Sequence, residues 1–98
     1  EVSKFPTVKR DLSLLIDKNI QFNVLLQIAV ETEKNILASV NLFDVYEGEN
    51  LPSGKKSYAL SFILEDKTKT LSEKHIDKVM NKLIKAYENK IGAEVRSK

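Results

Sequence analysis

Residues 36–65 contain two runs with a period of two, broken by the segment EGENLPSG, and a helical stripe flanks them on each side. Few folds satisfy that order. Side chains that alternate faces mark a strand, and apolar residues at i, i+3, i+4 and i+7 mark a helix packed on one side. In the first run, residues 36–47, β-branched and aromatic residues predominate. Gly48, Pro52 and Gly54 make the connection too turn-rich to continue it. In the second run, 55–65, Tyr58, Leu60, Phe62 and Leu64 share one face, and Ser57, Ala59, Ser61 and Ile63 share the other. A turn near Leu51 and Pro52 brings Tyr46 and Ser57 close together at the loop end.

The flanks complete the pattern. Phe5-Pro6 is an extended lead-in, because the residue before proline avoids the helical region. Residues 10–17, RDLSLLID, put Leu12, Leu14 and Ile16 on one face and Asp11, Ser13, Leu15 and Asp17 on the other. Residues 21–33 read as a helix with Asn19 or Asn23 as its cap. Phe22, Leu25, Leu26 and Ala29 form its stripe, widened by Val24 and Ile28. Ser72 caps a second helix, with Glu73 favourable to the helix dipole. Ile76, Val79, Met80, Leu83, Ile84, Tyr87 and Ile91 trace its apolar side, and Gly92 stops it. Residues 93–97 form a short last strand, with Ala93 and Val95 inward and Glu94 and Arg96 outward.

The order β-α-β-β-α-β predicts an α+β ferredoxin-like sandwich, with a four-stranded antiparallel sheet and both helices on one face. With 98 residues, 42% of them hydrophobic, the chain is one domain, residues 1–98, with one core. It does not begin with Met, so it reads as a fragment of a longer protein. No apolar run approaches the roughly 18–20 residues of a membrane helix. The absence of cysteine fits a reducing compartment.

Catalytic constellations are missing. His75, the single histidine, falls in the first turn of the second helix among polar neighbours and reads as a surface position. One histidine and no cysteine make a zinc site a poor reading, and no carboxylate pair has spacing that indicates acid/base work. Residues 48–56 resemble a phosphate-binding loop superficially. The glycine spacing is one residue too long, Lys56 stands where Ser or Thr is required, and a strand follows instead of a helix.

Function therefore points to the sheet face away from the helices. That face is expected to carry Asp44, Tyr46, Ser57, Ala59 and Ser61, one ring among small polar groups. Tyr46 offers base stacking, and Asp44 and Ser57 offer hydrogen bonds to base edges. The alternative assignments are ordinary ones: Tyr46 caps the edge of the core and Asp44 discourages edge pairing. Residues 51–98 carry 11 Lys or Arg against 6 Asp or Glu, whereas residues 1–50 carry 5 against 8. That basic half suits a polyanion, with Arg10, Lys55, Lys56, Lys67 and Lys69 as phosphate contacts, and equally suits a solvated helix face.

The words KFPTVKRDLSLLID, LFDVYEG, LPSGKKSYALSF, KTLSEKHIDKVMNKL and GAEVR, in this order over nearly the whole chain, resemble the ferredoxin-fold anticodon-binding domain that closes the β subunit of bacterial phenylalanyl-tRNA synthetase. The resemblance implies a noncatalytic, cytoplasmic module that grips the anticodon stem-loop of phenylalanine tRNA. It places the base-contacting roles on Asp44, Tyr46 and Ser57. The implied partners are phenylalanine tRNA, the rest of the β subunit and the catalytic α subunit, and neither a membrane nor DNA is among them. No cofactor is expected in the domain; ATP and magnesium serve the parent enzyme. A ferredoxin-like regulatory domain that dimerises and senses a small metabolite is the alternative. It predicts a concentration-dependent dimer and a melting shift with an amino acid.

Overall fold

A computed structural model describes residues 5–96. The elements are β1 (Val8–Asp17), α1 (Phe22–Thr32), β2 (Leu37–Tyr46), β3 (Lys55–Leu64), α2 (Glu73–Ile91) and β4 (Glu94–Arg96). The four strands form one antiparallel sheet in the order β2-β3-β1-β4, so the expected βαββαβ sandwich is the fold observed. Residues 1–4 and Ser97 of the expected last strand lie outside the described residues.

The core lies between the helices and one face of the sheet. Leu12, Leu14 and Ile16 of β1 meet Tyr58, Leu60, Phe62 and Leu64 of β3, and all are buried. From above, α1 contributes Leu25, Ile28 and Ala29, and α2 contributes Ile76, Val79, Leu83 and Tyr87. Each fully buried leucine-sized side chain is worth about 1.5–3 kcal/mol. Tyr87 has no exposed surface, and its hydroxyl donates to the Leu25 carbonyl at 2.9 Å, tying the helices together. Burial raises the pKa of that hydroxyl far above its ordinary value.

Helix ends obey local chemistry at α2 and depart from expectation at α1. The Ser72 hydroxyl accepts from the His75 backbone N–H at 3.1 Å, and Gly92 closes α2 in the left-handed conformation, φ 65°. At α1 neither Asn19 nor Asn23 is the cap; Gln21 occupies that position without a side-chain bond. Val24, expected in the buried stripe, is 39% exposed, because the buried arc is centred on Leu25, Ile28 and Ala29.

A buried carboxylate fixes the corner between α1 and β2. Glu33 is 4% exposed. One of its oxygens accepts from the Asn35 and Ile36 N–H groups, both at 3.1 Å, and the other meets Lys82 Nζ of α2 at 2.9 Å. Burial pushes the carboxyl pKa up, but Lys82 and the two N–H groups outweigh it, and the net shift is below the ordinary value.

Candidate nucleic-acid interface

The sheet face opposite the helices is built by alternation on β1, β3 and β4. Asp11, Ser13, Leu15 and Asp17 of β1 lie opposite Ser61, Ala59, Ser57 and Lys55 of β3. Arg96 and Glu94 of β4 lie opposite Ser13 and Leu15. Directly opposed residues share a face, so these side chains form one surface. Leu15 is buried there, apart from the main core.

Strand β2 reaches the same surface by a different route. Val40 and Leu42 face the core, opposite Phe62 and Leu60. Strict alternation from Leu42 would turn Asp44 and Tyr46 inward as well. Instead the register slips by one residue: Leu42 pairs with Leu60, and Asp44 pairs with Ala59. Phe43 is the extra residue of a β-bulge, which lets one strand gain a residue on its partner and re-aims the side chains beyond it. Past the bulge Val45 opposes Tyr58, and Asp44 and Tyr46 oppose Ala59 and Ser57 on the open face. A second slip, between Leu37 and Ser39, gives β2 another irregularity near its start.

Tyr46, Asp44 and Ser57 are thus neighbours at the hairpin end. Tyr46 is 45% exposed. Its ring lies against Gly48: a Cβ built on that glycine would sit 2.6 Å from Tyr46 Cζ. Gly48 does not have a positive φ; Gly54, φ 79°, does, where the loop turns back into β3. Gly48 therefore serves by leaving room for the ring, and Gly54 by its backbone conformation. The Ser57 and Ser13 hydroxyls are 3.3 Å apart, which orients Ser57 across the strand boundary.

The expected phosphate contacts divide between the two faces. Lys55 lies on the open face, with its ammonium 2.8 Å from Asp17. Lys56 has the parity of Tyr58 and Leu60. It is 7% exposed on the helix side, with Nζ 4.5 Å from the Tyr58 ring centroid. Arg10 has the parity of Leu12 and meets Glu73, at the start of α2, at 3.3 Å. The structure does not bring Lys56 or Arg10 together with Asp44, Tyr46 and Ser57.

Three contributors to the face were not singled out from sequence. Ser13 and Arg96 are placed by strand parity once the sheet order is known. Phe43, 58% exposed, follows core-facing Leu42, so alternation puts it on the open face before the bulge takes effect. Ser61 is on this face too, but its hydroxyl is buried and has no hydrogen-bond partner. Among the described residues no cluster of three or more His, Cys, Asp or Glu side chains is suited to holding a metal ion, and no helix is long and apolar enough to cross a membrane.

Comparison with known proteins identifies the family to which this fold belongs. Residues 3–96 match the model of the ferredoxin-fold anticodon binding domain. The chain is 60% identical over 96 residues to a phenylalanine–tRNA ligase beta subunit of Bacteroides fragilis, covering 98% of this chain and 12% of that protein. A protein of the same name from Porphyromonas gingivalis is 50% identical, with the same coverage. One from Clostridium acetobutylicum is 44% identical over 93 residues, covering 95% of this chain and 12% of that protein. The chain therefore spans about an eighth of the length of these relatives. A family match over nearly all its residues, on the sandwich that the family's name describes, establishes that the chain belongs to the ferredoxin-fold anticodon-binding domain family.

Proposed function

We propose that the open sheet face binds the anticodon stem-loop of phenylalanine tRNA, as a noncatalytic module within a phenylalanine–tRNA ligase β subunit. The observation that carries this reading is the juxtaposition of an exposed ring, a carboxylate and an oriented hydroxyl at one end of the face. Tyr46 stacks on an anticodon base, Asp44 accepts from a base amino or imino group, and Ser57 donates to or accepts from the base edge. Lys55 is the expected phosphate contact nearest this site, once it exchanges Asp17 for the polyanion.

In this reading the work of the chain is to position tRNA for chemistry done elsewhere. Its partners are the tRNA, the remainder of the β subunit and the α subunit, in the cytoplasm. In this reading ATP and magnesium serve the complete enzyme.

The test is a titration of the chain with a fluorescent anticodon stem-loop at several salt concentrations. Affinity should fall with salt by about 0.7 log units per log unit of salt for each neutralised phosphate on single strands. Tyr46→Ala should weaken binding about five- to a hundred-fold, the scale of one lost base stack, with melting unchanged. Wild-type affinity in a folded Tyr46→Ala variant would refute the stacking assignment.

A further inference from the structure

We propose that the outward face of α2 is a separate nucleic-acid surface, which takes the ribose-phosphate backbone of RNA without reading its bases. The proposal does not rest on the assignment of the anticodon loop to the open sheet face, because the core and the sheet separate the two surfaces.

The distribution of unpaired charge points there. On the open face each cation has an acid beside it: Lys9 with Asp11 at 3.8 Å, Lys55 with Asp17 at 2.8 Å and Arg96 with Glu94 at 3.9 Å. Arg10 is held by Glu73 at 3.3 Å. On α2, Glu33 holds Lys82, but no ion pair among the described residues takes in Lys74, Lys78 or Lys85. All three are exposed. They lie on the side of the helix away from Ile76, Val79, Leu83 and Tyr87, which face the core.

These lysines share one feature of the surface. Lys74, Lys78, Lys82 and Lys85 border, with Asp77 and Asn81, a shallow groove of about 570 Å³ along the helix. Four lysines against one aspartate leave it positive even after Glu33 offsets Lys82. The spacing i, i+4, i+8 and i+11 spreads them over about 16 Å of the helix, roughly 6 Å for each step of four residues.

The chemistry of the groove selects its occupant. Its lining has no aromatic or aliphatic residue, because the apolar side of α2 faces the core. A protein interface has an apolar centre in which lysine is depleted. A helix that lies on a membrane presents an apolar face to the lipid. A phosphate backbone requires neither: it is a row of negative charges, which flexible ammonium groups follow without a fixed geometry. With no arginine or ring in the lining, nothing there forks to a base or stacks on one, so recognition stops at the backbone.

The test sets an RNA duplex without a loop, whose bases are hidden from any ring, beside the anticodon stem-loop. Wild type, the triple variant Lys74→Gln/Lys78→Gln/Lys85→Gln and Tyr46→Ala are titrated with both RNAs at several salt concentrations, and the melting of each protein is measured. Glutamine keeps the helix propensity of lysine, so the triple variant should stay folded. Wild type should bind the duplex weakly at low salt. The triple variant should bind it at least about ten-fold more weakly, and the slope of log affinity against log salt should fall by about one for each lysine removed. Tyr46→Ala should bind the duplex as wild type does. A wild-type salt slope in the folded triple variant, or no binding of the duplex by wild type at low salt, overturns the proposal. So does tighter binding of polyglutamate than of the duplex at equal charge, which would make the partner an acidic protein segment. Unchanged stem-loop affinity in Tyr46→Ala, with the duplex result as expected, refutes the stacking assignment alone and leaves the α2 surface standing.

Discussion

Replacing Glu33 tests how the corner between α1 and β2 is held. In Glu33→Ala, the Ile36 N–H loses its acceptor where Ile36 is 4% exposed, and a buried unsatisfied donor costs about 1–3 kcal/mol. The Asn35 N–H, on an exposed residue, can turn to water, so its loss adds little. Lys82 is half exposed, and its ion pair adds about 0.2–1 kcal/mol. The expected loss at pH 7 is about 1–4 kcal/mol, which for a domain of this size lowers the melting temperature by roughly 5–30 °C. Glu33→Gln keeps an oxygen acceptor and forfeits only the charge, so it should lose about 1 kcal/mol. The sign of the pH dependence comes from the lowered carboxyl pKa. Such a group stabilises the fold fully above its unfolded value of about 4.3, and the contribution disappears as pH falls through the folded value. Urea unfolding of the three proteins at pH 7, and again between pH 5 and pH 3, reads both effects. The gap between wild type and Glu33→Gln should close at the acid end. A Glu33→Ala variant within about 0.5 kcal/mol of wild type at pH 7 would refute the account.

Two further substitutions probe the open face and its boundary. Gly48→Ala places a methyl where the Tyr46 ring lies, so the ring must swing away. Stem-loop affinity should drop several-fold with little change in melting, and unchanged affinity would show that the ring's resting position is irrelevant. Lys56→Ala should leave stem-loop affinity unchanged and lower stability, because its ammonium covers Tyr58 on the helix side. A five-fold affinity loss without destabilisation would return Lys56 to the phosphate contacts.

The strands and helices were legible because their periods are clean. Tyr58, Leu60, Phe62 and Leu64 alternate without interruption, and Ile76 to Ile91 repeat at helical spacing, so topology came from order. The side of Lys56 and Arg10 was legible too, since each shares parity with core residues of its own strand. Their basic character alone suggests phosphate contacts, and parity overrides it. Glu33 was hidden because a buried carboxylate depends on partners that only the folded turn into β2 and the other helix bring to it. The placement of Asp44 and Tyr46 rested on their polar character, and simple alternation from Val40 and Leu42 argues against it. Only the paired register of β2 with β3 resolves the conflict, and no single-strand pattern contains a register.

That register gives length a meaning in β2 that substitution does not capture. A strand has a frame of two, and the Phe43 bulge is a frameshift within it. Replacing Phe43 with another side chain alters one wall of the surface; deleting it would close the bulge and leave Asp44 beside Leu42, still opposite Ala59, so Asp44 and Tyr46 would keep the open face. What the extra residue adds is a second side chain in succession: Phe43 and Asp44 both display on one face, which strict alternation forbids. The surface is encoded as much by the count of residues between Leu42 and the hairpin turn as by the identities of the side chains displayed.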